Sequence, residues 1–155
     1  MGAPATIACT GHRPARLPPS APAKIRAAVR CLVGRHPGAT WLCGGAIGTD
    51  QIAADEVLLL GERLELVLPF PPAIQAARWR PADRWRLLRQ VAHAASVEVL
   101  RDHYHPGGYR QRNRRLVERA DLLMAVWDGR RWGGTAATVL MAQSRGIELL
   151  CLWVR

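Results

Sequence analysis

The stretch TWLCGGAIGTDQIAADEVLLLG, residues 40–61, decides the fold. It opens with a short apolar run, Thr40 to Cys43, which predicts a β-strand. A Gly-rich loop from Gly44 to Asp50 follows, and it leads into a predicted helix over roughly Asp50 to Leu60 that Gly61 ends. A strand that enters a helix through such a loop is one βα unit of an α/β domain.

The rest of the chain repeats this alternation of apolar runs and amphipathic stretches. Further strands are predicted at Ala5 to Thr10, Leu64 to Leu68, Ser96 to Leu100, Leu122 to Trp127 and Glu148 to Val154. Further helices are predicted where Ile25, Val29, Leu32 and Val33 share a face, over Trp79 to Ala95, where Tyr109, Asn113, Leu116 and Ala120 recur, and over Thr135 to Ser144. In the Arg-rich helix the face expected to meet the core carries Trp85, Leu88, Val91, Ala92 and Ala95.

Strands that alternate with helices imply right-handed crossovers and parallel pairing. The sequence therefore predicts an α/β fold in three layers, with a mainly parallel sheet flanked by helices on both faces. The length of 155 residues predicts one domain, 1–155, with one hydrophobic core. No apolar run approaches the ~18 to 20 residues of a membrane span, so no membrane partner is expected.

The charge of the chain is strongly positive. It has 22 basic residues, of which only Lys24 is a lysine, against 12 acids, and the formal net charge is +10. Such a charge suggests nucleic acid or another polyanion as partner. The excess also reflects few acids, none of which precedes Asp50, so it gives the sign of the partner's charge without naming the partner.

The cysteines and the first residues bear on the compartment. Cys9, Cys31, Cys43 and Cys151 have no metal-ligand spacing and are interpreted as small core residues in a reducing interior. The segment Met1 to Thr10 lacks the basic and apolar regions of a signal peptide. A cytoplasmic protein is expected.

Segments that combine glycine with polar or charged residues follow three of the predicted strands. These segments are Thr10-Gly11-His12-Arg13, Gly44-Gly45-Ala46-Ile47-Gly48-Thr49-Asp50, and Asp128-Gly129 with Gly133-Gly134-Thr135. In an open parallel sheet, ligands bind at the carboxyl ends of the strands. Glycines allow close approach of a ligand to the backbone, and a helix start attracts an anion.

Two such turns on one sheet edge predict a phosphate site, most naturally for a nucleotide. Neither turn has the Gly-Lys-Ser/Thr ending of a P-loop or the spacing of a dinucleotide fingerprint. The alternative is that the glycines only make tight strand-to-helix turns.

The sequence at these residues resembles the SLOG superfamily. That group includes the Lonely Guy (LOG) proteins, the DNA-processing protein of natural transformation and many bacterial Rossmann-like nucleotide-binding proteins. The resemblance lies in Thr10 to Pro14, in Gly44 to Asp50, and in Arg112-Asn113-Arg114 with Ala120-Asp121 and Gly133-Gly134-Thr135. It covers most of the chain and implies a Rossmann-like domain that binds a nucleotide or nucleotide-derived ligand.

LOG enzymes hydrolyse nucleoside 5'-monophosphates to free base and ribose 5-phosphate, which offers a catalytic hypothesis. The resemblance places Arg112 at the position of their catalytic arginine, but it places Leu140 where they carry a catalytic glutamate. Leucine can neither stabilise an oxocarbenium ion nor move a proton. Hydrolysis of an N-glycosidic bond would therefore require Asp50, Asp128 or Glu56 as a substitute.

Other groups admit more than one interpretation. Asp102, His103 and His105 could bind a metal, but a polar surface loop is favoured and no metal site is predicted. His12 is either an acid or base near a phosphate or a hydrogen-bonded ring, with the second favoured. Asp128 either holds ribose hydroxyls or caps a turn.

The arginines from Arg78 to Arg119 also leave alternatives open. They could form a solvated face, a dimer interface with Trp79 and Trp85, or a nucleic-acid track. The first two interpretations are favoured because the tryptophans lie at helical core spacing rather than as a stacking platform.

The prediction is thus a domain that binds an AMP-like nucleotide, with its phosphate on the helix starts after Gly44-Gly45 and Gly133-Gly134. Arg13 and Arg112 would offset its charge, and Asp50 or Asp128 would hold its sugar or base. The alternatives are a LOG-like phosphoribohydrolase and a DNA- or RNA-binding protein, and a homo-oligomer is expected. The candidate binding residues are Thr10, Gly11, His12, Arg13, Gly44, Gly45, Gly48, Thr49, Asp50, Arg112, Asn113, Asp128, Gly133, Gly134 and Thr135, with Arg112 also the candidate catalytic residue.

Overall fold

A computed structural model describes residues 3–155. The strands are β1 (Thr6–Gly11), β2 (Thr40–Cys43), β3 (Arg63–Leu68), β4 (Ser96–Val99), β5 (Leu122–Trp127) and β6 (Glu148–Trp153). The helices are α1 (Ala21–Arg35), α2 (Thr49–Leu59), α3 (Pro72–Gln75), α4 (Pro81–His93), α5 (Gly108–Arg119) and α6 (Gly134–Arg145). Every predicted strand and helix is present, with bounds that differ by one or two residues.

The sheet has six strands in the order β4-β3-β2-β1-β5-β6, and every neighbouring pair is parallel. The predicted three-layer α/β fold is confirmed. The chain moves outward from β1 to β4 in one direction and then returns to place β5 on the other side of β1. The strand order thus reverses between β1 and β5, and ligands of open α/β sheets bind beside such a point.

Alternating residues of the strands supply two cores. Ile7 and Cys9 of β1 pack with α1, α2 and α4, whereas Ala8 packs with α5 and α6. All three side chains are fully buried. Because a parallel strand covered on both faces has no solvent side, such strands are apolar throughout, which is why periodicity found them.

The structure corrects several details. Trp85, Leu88, Ala92 and Ala95 were expected to face the core, but all four are exposed, Trp85 to 72% and Leu88 to 50%. The buried residues of α4 are Leu87 and Gln90, and Val91 is partly buried against the core as expected. The buried amide of Gln90 fixes this orientation, because it donates to the Gln51 carbonyl and to Asp55 on α2. Cys31 was expected in the core and is exposed.

Two short segments were not predicted: the single 3-10 turn Pro14–Arg16 and helix α3. Both begin with proline, whose fixed φ suits the first position of a helical turn. Among residues 3–155, no helix is long and apolar enough to cross a membrane.

Candidate functional site

A cavity of about 310 Å³ opens at the point where the strand order reverses. It is lined by Thr10, Gly11, His12, Arg13, Arg16, Ala46, Asp50, Tyr109, Arg112, Asn113, Gly134 and Thr135. Residues from the end of β1, the loop after β2, the start of α5 and the start of α6 therefore meet at one edge of the sheet. Nine of the predicted binding residues are among them.

His12 forms the wall of the cavity toward β5. Its ring is 3% exposed, and its Nε2 accepts the backbone N–H of Asp128 at 3.1 Å. Nε2 also lies 3.1 Å from Asp128 Oδ1, and Nδ1 lies 3.4 Å from Thr135 Oγ1. Burial and the nearby Arg16 lower the pKa of His12, although Asp128 opposes them. The His12 ring is thus hydrogen-bonded to the backbone, and burial is the largest of the causes that lower its pKa.

The buried Arg112 is fastened to the loop after β2. It is 5% exposed, and its guanidinium donates to the Gly44 carbonyl and, at 2.8 Å, to Asn113 Oδ1. Because Asn113 accepts through Oδ1, its Nδ2 group is left as a donor on the side of Gly134. Arg112 thus contributes positive charge from the cavity wall, and Asn113 contributes a directed donor.

The Gly-rich loop after β2 packs tightly within the protein. A Cβ on Gly44 would lie 2.7 Å from Arg112 Cζ, and one on Gly48 would lie 2.8 Å from the His12 carbonyl oxygen. A Cβ on Gly45 would lie 2.7 Å from a Leu68 methyl group. Of the loop's glycines, none lines the cavity.

At the start of α2, hydrogen-bond donors already have acceptors within the protein. The Thr49 amide and hydroxyl both donate to the His12 carbonyl, at 3.2 and 3.0 Å. The buried Asp50 carboxylate accepts the Ala46 amide at 3.3 Å. Burial raises the pKa of Asp50, while Arg112 and the backbone amides of the loop lower it in part. An incoming phosphate would meet a carboxylate here.

The start of α6 is open. Gly133 precedes the helix with φ of 95°, a conformation that favours glycine, and the first turn contains no acidic residue. A Cβ on Gly134 would have only the Asn113 amide near it, at 3.6 Å. The first amides of a helix have no acceptor within the helix, so they face the cavity as donors.

Asp128 and Gly133 lie outside the cavity, beyond Arg16. The Asp128 carboxylate accepts three hydrogen bonds from Arg16, at 2.8, 2.9 and 3.3 Å, and one from the Arg130 amide at 3.0 Å. Burial raises its pKa, but the Arg130 amide, Arg16 and His12 outweigh burial and lower it to about 2. Asp128 therefore anchors the loop that leads to α6, and its oxygens are used within the protein.

Three residues of the cavity were missed by the sequence analysis: Arg16, Ala46 and Tyr109. Arg16 is separated from Asp128 by 112 positions, so no local pattern reveals their contact. Tyr109 was assigned only to the face of a helix, yet the guanidinium carbons of Arg13 and Arg112 lie 5.7 and 6.0 Å from its ring centre. An aromatic residue at the start of a helix that follows a strand end is the signal that could have identified it.

The residues considered for hydrolysis do not all lie in the cavity. Leu140 is 59% exposed and lies on a groove between α5 and α6, away from the cavity. Glu56 is buried and paired with Arg30 at 2.6 Å. Of the three candidate substitutes for the glutamate, only Asp50 lines the cavity.

Four of the eleven arginines from Arg78 to Arg119 form ion pairs with acidic side chains of the described residues. Arg86 and Arg89 pair with Asp55, at 2.6 and 3.4 Å. Arg115 and Arg119 pair with Glu98, and Arg119 also pairs with Glu65, whose pKa this contact lowers. Within residues 3–155, no three His, Cys, Asp or Glu side chains converge as a metal site would require.

No model of a known protein family matches the chain. A UPF0398 protein of Shouchella clausii is 32% identical over 116 residues, which take in 69% of this chain and 61% of that protein. The chain thus spans about three fifths of the length of that relative.

Solved structures share the fold. A structure described as showing the single-stranded DNA binding mode of DNA processing protein A from Helicobacter pylori matches with a TM-score of 0.74 and 22% identity, over 98% of this chain and 66% of that one. The molybdenum cofactor carrier protein of Chlamydomonas reinhardtii matches with a TM-score of 0.66 and 16% identity, over 99% and 78%. These structures show that the chain has the Rossmann-like α/β fold that the resemblance to the SLOG superfamily implied.

Proposed function

We propose that the cavity binds a nucleotide or nucleotide-derived ligand, with its phosphate at the start of α6. The observation that carries the proposal is the start of α6, because Gly134, Thr135 and Asn113 all line the cavity there and Asn113 Nδ2 would lie 3.6 Å from a Cβ on Gly134. Backbone amides at a helix start, aided by the helix dipole, favour a dianionic phosphate.

Charge on the cavity wall favours the same ligand. Arg13 is exposed at the mouth and forms no ion pair with any residue in the described range. The buried Arg112 lies deeper, and the two flank the Tyr109 ring. A phosphate at α6 would therefore add countercharge for Arg13, whereas Asp50 already offsets part of the charge of Arg112.

The volume limits the ligand's size. A cavity of about 310 Å³ is at the lower end of the ~300 to 1,000 Å³ typical of small-molecule sites, so it fits one nucleotide better than two. Tyr109 offers a ring face to a base or sugar, and Asp50 offers hydrogen bonds to hydroxyl groups. Single-stranded DNA, which the Helicobacter pylori protein binds, is itself built of nucleotides.

Calorimetry with the four ribonucleoside 5'-monophosphates and the matching nucleosides tests this proposal. We expect at least one monophosphate to bind, and to bind at least tenfold more tightly than its nucleoside. Equal binding of the two, or no binding of any monophosphate, would contradict a phosphate site at α6.

Hydrolysis of a bound nucleoside monophosphate is a second candidate, favoured by the position of Asp50 within the cavity beside Arg112. The carboxylate would stabilise the oxocarbenium ion as the C1′–N bond breaks, and Arg112 would hold the phosphate. Water would then add its oxygen to C1′, and its proton would go to the released base. Free base released by the wild-type protein and not by Asp50→Asn, with binding retained in the variant, would support it. No release of base from any bound monophosphate would exclude it.

Nucleic-acid binding through the Arg-rich helices is the alternative function that would use the positive charge outside the cavity. The ion pairs of Arg86, Arg89, Arg115 and Arg119 leave fewer free cations on these helices than the sequence suggests. A gel shift with single-stranded DNA that weakens steeply with salt would support this alternative, because phosphate contacts release counterions.

A homo-oligomer in the cytoplasm completes the proposal. Trp85, Leu88 and Leu140 are exposed apolar side chains that self-association could cover. Light scattering combined with size-exclusion chromatography measures this directly, and a monomeric mass would contradict it.

A further inference from the structure

A second cavity of about 600 Å³ lies on the other side of Arg16. It is lined by Ala15, Arg16, Leu17, Pro18, Asp128, Arg130, Val154 and Arg155. Arg16 is the one residue that lines both this cavity and the proposed phosphate cavity. The two spaces are therefore neighbours separated by a single side chain.

Arg16 is held rigidly as this partition. Its guanidinium makes a two-pronged pair with Asp128 and lies 4.2 Å from the ring centre of Trp132. On its other side, a Cβ on Gly133 would lie 3.2 Å from Arg16 Nη1, which places Arg16 against the start of α6. A phosphate at α6 would therefore lie beside Arg16, at the boundary of the second cavity.

The second cavity combines positive charge with an apolar floor. Arg130 is 65% exposed and only loosely paired with Asp128, at 3.7 Å, so its guanidinium is available to an anion. Leu17, Pro18 and the buried Val154 supply apolar surface. The turn itself is fixed, since the Arg130 carbonyl accepts Trp127 Nε1 and its amide donates to Asp128. A guanidinium and apolar side chains in one cavity suit a second phosphate followed by a base or sugar.

We propose that the ligand extends past Arg16 into the second cavity and is a dinucleotide, with one phosphate at α6 and a second near Arg130. This proposal rests on the proposed function, since it requires the first phosphate at α6. The dinucleotide can be a free molecule or the 5' end of a single strand. Both present the same two phosphates to the protein.

Calorimetry on the full chain tests this extension, using the ribonucleoside monophosphate that binds best, its 5'-phosphorylated dinucleotide, and a 5'-phosphorylated 12-mer of the same nucleotide. We expect the dinucleotide to bind about tenfold more tightly than the mononucleotide. Arg130→Ala should remove that gain and leave mononucleotide affinity unchanged, because Arg130 does not line the first cavity. Arg131→Ala is the matched control, since this exposed arginine lines neither cavity, and it should retain the gain.

The outcomes separate the two proposals. If no monophosphate binds, the proposed function itself fails, and the extension fails with it. If the monophosphate binds and the dinucleotide binds no more tightly, or if Arg130→Ala retains the gain, only the extension fails. A 12-mer that matches the dinucleotide identifies a free dinucleotide, whereas a 12-mer that is tighter still, and weakened by Arg130→Ala, identifies a strand end.

Discussion

The two Gly-rich turns that lead into α2 and α6 look alike in sequence and differ in what they offer a ligand. At α2, the Thr49 amide is used by the His12 carbonyl, and Asp50 places a carboxylate in the first turn. At α6, the first turn has no acid and only the Asn113 amide lies near Gly134. A glycine-rich helix start therefore becomes an anion site only when the protein leaves its amides unused.

The difference assigns separate tasks to the two turns. The first holds Arg112 and Asp50 in place through close backbone packing, and the second presents donors to the cavity. The sequence predicted the phosphate at both helix starts, whereas our proposal places it at the start of α6 alone. The changes below test that division from the largest expected effect to the smallest.

Gly134→Asp tests the α6 turn most severely. The added carboxylate would point to the position proposed for the phosphate, so we expect nucleotide affinity to fall by at least about 100-fold, or roughly 2.7 kcal/mol. Gly134→Asn is the matched control, because it has the same shape without the charge. An aspartate variant that binds as well as the asparagine variant would show that no anion lies there.

Gly44→Ala tests the α2 turn as a structural element. The new Cβ would lie 2.7 Å from Arg112 Cζ, so the buried guanidinium must shift. We expect the free energy of unfolding to fall by about 1–3 kcal/mol, as for overpacked cores. Gly34→Ala on α1, where a Cβ would have no heavy atom within 4 Å, is the control and should stabilise by about 0.5–1 kcal/mol. Urea unfolding measures both, and a neutral Gly44→Ala would contradict the tight packing.

Asp128→Asn tests the anchor of the α6 turn. The pKa of Asp128 is lowered from 3.8 to about 2, so its ionised form stabilises the folded state above its unfolded pKa, and that contribution is lost as pH falls through this range. We expect the variant to be less stable at pH 7 by about 1 kcal/mol, since solvent screens part of the interaction. The difference from wild type should shrink as urea unfolding is repeated from pH 5 to pH 2.5. A difference that does not vary with pH would mean that the charge plays no part.

The strands and helices could be predicted because most of the buried strands are apolar runs, interrupted in β3 by Glu65, and glycine or proline lies near many of the helix ends. The face of α4 could not, because the orientation depends on Gln90 reaching α2 rather than on apolar periodicity. Apolar spacing alone favoured Trp85, which the structure exposes.

The sequence was sufficient to predict which loops form the site, but not the side-chain contacts within it. Parallel strands bring their carboxyl ends to one edge, so Thr10 to Arg13 and the start of α6 had to be near one another. Two facts required the folded protein: Asp50 turns back onto its own loop, and Arg16 reaches Asp128 across 112 positions. Both depend on side-chain directions that spacing along the chain does not encode.

A crystal structure of the chain with the monophosphate that binds best tests the central claim most directly. The account predicts phosphate oxygens within hydrogen-bonding distance of the Gly134 and Thr135 amides, with Arg13 and Asn113 beside them. A phosphate bound at the start of α2, or outside the cavity at the β1–β5 reversal, would contradict it.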